Sequence, residues 1–437
     1  MLTEWSHLEL ARGQMAFSLG FHIIFASISM VMPFLMFLAY RNYLKHGNPI
    51  DLRLTKAWMK GTAILFATGA VSGTALSFQL GLLWPHFMKH AGPIFGMPFS
   101  LEGAAFFLEA IFLGLFLYGW NRLSPHLHLL CAFLVGLFGL ASGILVIAAN
   151  GWMNAPAGFD WVHGQAINID PWAAMFNKAW PLQAIHMLIA AFQATCLAAA
   201  GLHAVGLLRG QALSFHRRAM EYLLPLLAIS SLIQPFVGDL SAKAIAKRQP
   251  EKLAAMEAHF HSETPAPLLM GGWPDETTQT VKYGFYLPAM LSFLAHGDFS
   301  AAVTGLDAFP RDEWPPVLVT HLAFQTMVGI GSMLALWAVV YLMARWRKVD
   351  LLAKRWWLWI LRVTMPLGFV ALEAGWVVTE VGRQPWIIYR VMRTADAVTP
   401  VTGLGWAFAM IVVLYVSLGV ISFYLLSRWF AIVSREA

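Results

Sequence analysis

Nine long apolar runs limit the possible folds of this chain more than any other feature of its sequence. Each run is close to or above the roughly 20 residues that an α-helix needs to cross about 30 Å of hydrocarbon. Hydrophobic residues make up 59% of the chain and charged residues only 12%, whereas a soluble domain carries roughly 25% charged residues. The runs lie near residues 14–40, 57–83, 100–119, 127–149, 182–207, 219–237, 321–343, 357–380 and 404–428. We therefore predict an all-α polytopic membrane helix bundle of about nine transmembrane helices, forming one membrane domain over residues 1–437.

The distribution of lysine and arginine predicts the orientation. With the N-terminus outside, the inner loops collect most of these residues, including a dense cluster at 345–355, as the positive-inside rule requires. A tenth apolar stretch, 283–296, is only 14 residues long and contains Pro288, so we predict a loop or interfacial helix there. The C-terminus is then cytoplasmic. The net charge of +6 does not indicate nucleic-acid binding, because the basic residues lie at span ends.

One predicted outer segment, from about 239 to 320, is far larger than the others. It contains several prolines and one helical pattern at 251–259. Loops of this length in a compact protein are usually functional, so we expect it to bind a ligand. The two cysteines, Cys131 and Cys196, both lie inside apolar runs. That placement excludes a disulfide framework, a cysteine zinc cluster and covalent haem attachment.

Ionisable side chains within a span cost several kcal/mol and are therefore functional candidates. His186 lies five residues into the fifth run and Met327 about six residues into the seventh, which places both about 8–9 Å below the outer surface. A histidine and a methionine at one depth could be the axial ligands of a low-spin haem. The alternative for Met327 is simple packing, since the chain has 21 methionines.

Other buried acids and histidines suggest further chemistry. His22 and Glu373 fall in the outer half of their spans, although a lone histidine can also hydrogen-bond a neighbouring helix. Glu102 and Glu109 are seven residues apart, so they share one helix face, as a proton relay would require. Glu109 lies in the middle of its span.

The large loop carries its own candidates. Lys252 and Glu257 could hydrogen-bond and deprotonate a polar ring at the membrane surface, or they could lie on a solvated helix face. Glu257, His259, His261 and Glu263 alternate along the chain, but period-two spacing on a loop is weak evidence for a metal site.

Four ordered motifs closely resemble subunit I of the cytochrome bd-type quinol oxidases, in particular the short-loop, cyanide-insensitive branch. The motifs are Ser-Leu-Glu-Gly at 100–103, Ala-Asn-Gly-Trp-Met at 149–153, Lys-Leu-Ala-Ala-Met-Glu at 252–257, and Gly-Trp-Val-Val-Thr-Glu-Val-Gly-Arg-Gln-Pro-Trp at 375–386 with Glu373 before it. The likeness covers nearly the whole chain, including the nine-span layout and the outer loop after the sixth span.

This resemblance implies two haem b and one haem d, with haem b able to replace haem d. It implies that His186 and Met327 ligate the low-spin haem, and that His22 and Glu373 serve the two high-spin haems in an order that stays open. Glu102, Glu109 and Ser142 would form the proton path or act as haem-site acids. Lys252 and Glu257 would contact quinol, and Asp239 would open the quinol loop. Further cofactor-binding candidates are Gln325, Trp376 and Arg383.

The chain departs from the family pattern at three places. Gln325 stands where some relatives carry arginine, which puts compensation of a haem propionate there in doubt. Phe369 stands where some carry tryptophan. The loop is short, about 80 residues, as in branches where haem d is not assured.

The implied function is oxidation of ubiquinol or menaquinol at the outer face and reduction of O2 to water, which generates proton motive force by charge separation. The implied partners are a second membrane subunit (subunit II) and possibly a small single-helix subunit, in the lipid bilayer of a prokaryotic cytoplasmic membrane. Two alternatives stay open, a proton-coupled transporter and a haem-b electron carrier without oxygen chemistry.

Overall fold

The computed structural model describes residues 6–162 and 164–436 of the chain. Within those two ranges, nine helical segments are long and apolar enough to cross a membrane, which confirms the predicted bundle. The first four are α1 (His7–His46), α2 (Pro49–Leu83), α3 (Pro85–Tyr118) and α4 (Pro125–Asn154). A short hairpin of β1 (Asp160–Val162) and β2 (Gln165–Ile167) and the short helix α5 (Pro171–Met175) lead to α6 (Trp180–Leu208) and α7 (Leu213–Arg248).

The large outer segment follows α7. It contains α8 (Pro250–Met256), the antiparallel hairpin of β3 (Leu268–Asp275) and β4 (Thr280–Leu287), and α9 (Met290–His296). The chain then returns to the bundle as α10 (Val317–Trp346), α11 (Arg355–Thr364) and α12 (Leu367–Val381). A third hairpin, β5 (Trp386–Ile388) with β6 (Met392–Arg393), and α13 (Thr394–Ala397) precede the last helix, α14 (Leu404–Glu436).

Local sequence signals explain where several helices begin and end. Ser6 and Glu9 form a capping box at the start of α1, where the Ser6 hydroxyl accepts from the Glu9 amide at 3.2 Å. Pro49 and Pro85 open α2 and α3, where the missing N–H of proline costs nothing. Gly47 ends α1 with φ +70°, a conformation that glycine adopts without strain.

Helix contacts divide the bundle into two parts that share α6. α1 packs against α2, α4, α6 and α14, and α3 packs against α4. In the second part, α6 contacts α7 and α12, and α10 contacts the same two helices. These four helices therefore form a ring in which α6 and α10 stand opposite each other.

The structure differs from the sequence prediction at three points. The eighth span is broken at Met365 and Pro366 into α11 and α12, because proline removes a hydrogen bond and clashes with the preceding turn. Helix α7 continues to Arg248, so Asp239 lies on a helix rather than at the start of the loop. The 283–296 stretch is divided between strand β4 and helix α9.

Candidate functional site

The ring of α6, α7, α10 and α12 carries His186 and Met327 on its two opposite helices. His186 hydrogen-bonds the side-chain amide of Gln234 on α7, with 3.2 Å between the two Nε2 atoms. Its other ring nitrogen, Nδ1, is buried and has no hydrogen-bond partner among the described residues. One nitrogen of this imidazole is therefore left for a ligand.

Met327 lies against a glycine of α12. A Cβ atom on Gly375 would stand only 3.1 Å from the Met327 sulfur, so the absence of a side chain makes room for the thioether. Trp376, the next residue of α12, is partly buried and packs against the main apolar core. Met327 therefore has a defined place on the ring, beside a glycine of α12. The same contacts also fit a simple packing role for Met327, the alternative that the sequence left open.

Glu373, on α12, contacts α1 on a different face from the one that carries His22. The His22 Nδ1 atom lies 3.0 Å from the Ser72 hydroxyl on α2, and a Cβ on Gly73 would be 2.8 Å from His22 Cε1. Glu373 instead approaches α1 at Gly20, where a Cβ would be 3.4 Å from its Oε2. Positions 20 and 22 are about 200° apart around a helix. The two side chains therefore lie at two separate positions around α1 and do not share one site.

Glu102 and Glu109 both face α4, as their spacing predicts. The Ser142 hydroxyl donates to Glu102 Oε1 at 3.0 Å. Glu109 is only 4% exposed and sits over Gly139, where a Cβ would be 3.1 Å from Oε1. Within the described part of the chain, that Oε1 atom has no hydrogen-bond partner. The α3–α4 interface therefore holds two acids and one hydroxyl in a row.

Lys252 of α8 is inserted between the C-terminal ends of α4 and α12. Its ammonium donates to the Asn154 side chain at 3.2 Å and to the Thr379 carbonyl at 3.1 Å. Only 2% of the residue is exposed, and this burial, together with the nearby charge of Arg383, lowers the pKa of Lys252 to about 7. The solvated helix face considered for Lys252 is therefore wrong.

Arg383 and Glu380 form an ion pair beside this lysine. Arg383 donates from Nη2 to Glu380 Oε2 at 2.7 Å, and Asn150 of α4 donates to the same carboxylate. Arg383 is 3% exposed, yet its Nη1 group finds no acceptor in the part of the molecule that is described. The buried guanidinium therefore has one donor group left for an anion.

Glu257 ends α8 and is also buried. It is 5% exposed, and Oε2 lacks a hydrogen-bond partner among residues 6–162 and 164–436. Burial raises the pKa of Glu257 from 4.5 to about 8, because the charged carboxylate loses its water without gaining a partner. The acid is thus protonated at neutral pH and close to its titration range.

Two further candidates have other partners. Asp239 pairs with Lys243 on the same helix at 2.7 Å, and both side chains are about one-third exposed. Gln325 binds the backbone of β3, since its Oε1 accepts from the Gly271 amide and its Nε2 donates to the Leu269 carbonyl, both at 3.1 Å. The Gln325 amide therefore binds the β3–β4 hairpin.

Sequence reasoning did not single out four residues that the structure brings into these clusters. Asn150 and Glu380 stand within quoted motifs, and their polar character near a span end could have indicated them. Asn154 and Gln234 had no such signal, because each acquires its role only from a residue on another helix.

The nine apolar helices found in the described ranges, with buried acids, histidines and a thioether, define an integral membrane protein of the redox or proton-transfer class. The family model described as cytochrome bd terminal oxidase subunit I matches residues 10–432. The chain belongs to this family. A cytochrome is a haem protein, so membership implies haem cofactors, and a subunit numbered I implies at least one further subunit.

Named relatives and a solved structure agree with the family. The chain is 36% identical over 430 residues to the putative cytochrome bd menaquinol oxidase subunit I of Bacillus subtilis, covering 97% of this chain and 96% of the relative. It is 29% identical to the cytochrome bd-II ubiquinol oxidase subunit 1 of Escherichia coli, covering 97% and 96% of the two chains. The bd oxidase structure from Geobacillus thermodenitrificans matches with a TM-score of 0.92 and 37% identity, over 98% of this chain and 99% of that one.

Proposed function

We propose that this chain is the quinol-oxidising, haem-bearing subunit of a terminal respiratory oxidase that reduces O2 to water. The observation that carries the proposal is the cluster of Lys252, Arg383 and Glu380, in which the lysine and the arginine are buried. This cluster contacts α12, the helix that also bears Glu373 and packs on Met327. This arrangement supports a polar site for a quinol ring at one end of the helices that would hold the haems.

The donor groups of this chain fit three non-covalent haems, two of type b and one of type d or b. His186 and Met327 would hold the low-spin haem, and His22 and Glu373 would hold the two high-spin haems. Three buried atoms without partners in the described structure support the fit, namely His186 Nδ1, Glu373 Oε1 and Arg383 Nη1. When bound, such haems would carry electrons one at a time, and the haems held by His22 and Glu373 would supply the place where O2 is reduced.

Quinol oxidation requires groups that hold a hydroxyl and accept its proton. Lys252 would orient one ring oxygen, and deprotonated Glu257 would take a proton as the quinol gives up its electrons. Each quinol loses two electrons and two protons, and four of each reduce one O2 to two waters. The raised pKa of Glu257 suits a base that must also release its proton again at neutral pH.

The protons for water formation would come from the opposite side of the membrane. We propose the N-terminus outside and the C-terminus in the cytoplasm, on the basis of the inner basic cluster at 345–355. Ser142, Glu102 and Glu109 would then conduct protons along the α3–α4 interface. Each charge moved against 100 mV stores about 2.3 kcal/mol, so this separation generates proton motive force without a pump.

The partners we propose are subunit II, with or without a small single-helix subunit, in a prokaryotic cytoplasmic membrane. The substrate is ubiquinol or menaquinol. The two named relatives are described with different quinols, so the quinol type must be measured.

The purified complex in nanodiscs tests this proposal. Pyridine haemochrome analysis should give haem b in excess, with or without haem d, and quinol should drive O2 uptake. Haem bands without O2 uptake would favour an electron carrier, and a preparation without any haem band would favour a proton-coupled transporter. Either result would contradict the oxidase proposal.

A further inference from the structure

The β3–β4 hairpin of the outer segment lies lengthwise against the first turns of α10. At its turn, Glu276 Oε1 accepts from the amide of Val317, the first residue of α10, at 2.8 Å. Near its base, Leu269 and Gly271 bind Gln325. Because Gln325 is eight residues further along α10, about 12 Å separate the two contacts along the helix axis. The hairpin therefore descends along α10, with its turn at the helix start and its base deeper.

The base of the hairpin reaches the expected edge of the hydrocarbon layer. Arg345 is the basic residue in the last turn of α10 and marks the opposite edge of the layer. Gln325 is twenty residues away, or about 30 Å, which equals the usual hydrocarbon thickness. The strand residues that bind Gln325 thus lie where the lipid chains begin.

The side chains of the hairpin change from polar at its turn to apolar and aromatic at its base. The turn is polar, with the sequence Asp-Glu-Thr-Thr-Gln-Thr at 275–280. At the base, Met270 pairs with Phe285, and these side chains are 50% and 62% exposed; Tyr286 is 49% exposed. Tyr283, between the two ends, is 95% exposed. Aromatic residues of this kind concentrate where membrane and water meet.

The hairpin covers the top of a helix face whose lower part is exposed and apolar. Val328, Leu336 and Met343 are all exposed on α10, and they follow Gln325 by 3, 11 and 18 residues. That spacing places them on the face of α10 that carries Gln325. The outward side of the hairpin therefore continues the surface that α10 presents to lipid.

Backbone N–H and C=O groups at the edge of β3 also have hydrogen-bond partners on α10, as an apolar environment requires. Within hydrocarbon, unpaired backbone N–H and C=O groups are very costly. Leu269 and Gly271 have such groups satisfied by Gln325, and the Gly271 carbonyl lies 3.0 Å from the Nε2 atom of His321. His321 and Gln325, one turn apart on α10, thus replace the neighbouring strand that β3 lacks on this side.

From these observations we infer that the outward face of the β3–β4 hairpin (Met270, Tyr283 and Phe285), opposite the face on which Leu269 is buried, is a lipid-binding surface. It enters the interfacial layer of the leaflet on the side of the large loop, and its ligands are phospholipid acyl chains and glycerol groups. The hairpin thereby anchors the loop to the bilayer. The inference does not depend on the oxidase activity, because it rests on depth, exposure and helix-face continuity alone.

Site-specific fluorescence in nanodiscs tests the inference. Cys131 and Cys196 are 3% and 0% exposed, so an environment-sensitive thiol dye should label introduced cysteines selectively, with the unmodified chain as the background control. Phe285→Cys and, as a second site, Met270→Cys on the same face report on the base. Thr277→Cys, in the polar turn of the same hairpin, is the matched control. Only complexes that retain the parent absorption spectrum and elution volume are compared.

The base labels should emit at shorter wavelength than the Thr277 label and lose their emission when the nanodisc contains lipids with nitroxide near the glycerol. They should resist iodide, whereas the Thr277 label should be quenched by iodide. Iodide quenching of the base labels as strong as that of the Thr277 label would place the hairpin in water and overturn the inference. Blue-shifted base labels that resist both quenchers would show a protein cover instead of lipid, which would also overturn it.

Discussion

Replacing Glu257 by glutamine tests whether this buried carboxyl is the base that accepts the quinol proton. Glutamine keeps the shape of the side chain but cannot accept a proton. The natural acid is 5% exposed, and the described residues provide no partner for its Oε2 atom. The substitution therefore removes titration with little loss of packing.

The structure sets the size of the expected effect. Burial raises the pKa of Glu257 from 4.5 to about 8, which corresponds to about 5 kcal/mol against the charged form at about 1.4 kcal/mol per pKa unit. Below the raised pKa, the carboxylate fraction grows about tenfold per pH unit, so kcat/KM for quinol should rise about 50-fold between about pH 6 and pH 8.

The same shift predicts an effect on stability, and its sign follows from proton linkage. Between pH 4.5 and about 8 the folded state holds the Glu257 proton while the unfolded state has lost it. The contribution of Glu257 to the free energy of unfolding is therefore most favourable below pH 4.5, and it is lost as the pH rises from 4.5 to about 8. The melting temperature of Glu257→Gln should exceed that of the natural protein by a margin that grows with pH.

Steady-state O2 uptake by the purified complex provides the assay, with quinol concentration varied at each pH. The ratio of natural protein to Glu257→Gln isolates this carboxyl, because Lys252 titrates in both. An artificial electron donor that bypasses the quinol site should support equal rates in both proteins. Glu263→Gln, an exposed acid of the same loop, is the matched control and should behave like the natural chain.

Two results would refute this reasoning. A rise of kcat/KM with pH that persists in Glu257→Gln would mean that another group is the base. Equal losses with quinol and with the artificial donor would move the role of Glu257 away from the quinol site and toward general stability.

Four further predictions concern the haem ligands, the proton path and the loop. His186→Ala should abolish the low-spin band of the reduced-minus-oxidised spectrum, and an unchanged spectrum would remove the ligand assignment. Gly375→Ala, which brings a methyl group to 3.1 Å from the Met327 sulfur, should shift that same band, whereas Ala at Gly329, where nothing described lies within 4 Å of the added carbon, should not. Glu109→Gln should slow O2 uptake with either donor by roughly 100-fold, as for loss of a proton-transfer group; normal turnover with normal charge separation would exclude an essential relay. His321→Leu should raise the KM for quinol more than it lowers kcat, because His321 also lies 2.8 Å from the Met256 carbonyl beside Glu257; unchanged KM would show that the loop keeps its place without this side chain.

Much of the bundle could be predicted because helix formation in a membrane is a local matter. A run of about 20 apolar residues must satisfy its own backbone hydrogen bonds in lipid, so the spans follow from composition along the chain. The shared face of Glu102 and Glu109 follows from the helical period alone. The roles of these two acids, in a proton path or at a haem site, remain predictions.

The loop was harder to predict, because its structure depends on what it packs against. The apolar 283–296 stretch indicated a short helix, but its first part forms strand β4, paired with β3 and supported through Gln325 on α10. Lys252 on a short helix could equally have been solvated. Its burial is decided by Asn154 and Thr379, which are about a hundred residues away in sequence.

The sequence by itself determined the nine apolar spans, the buried acids and histidines, and the motifs of a bd-type oxidase subunit, since each is a property of neighbouring residues. Only the tertiary structure decided that His186 and Met327 stand on opposite helices of one ring, that Glu373 of α12 contacts α1 on a different face from His22, and that Gln325 binds a hairpin. The physical reason is that helix period fixes which side chains share a face, whereas the partner of that face is chosen by packing between distant segments.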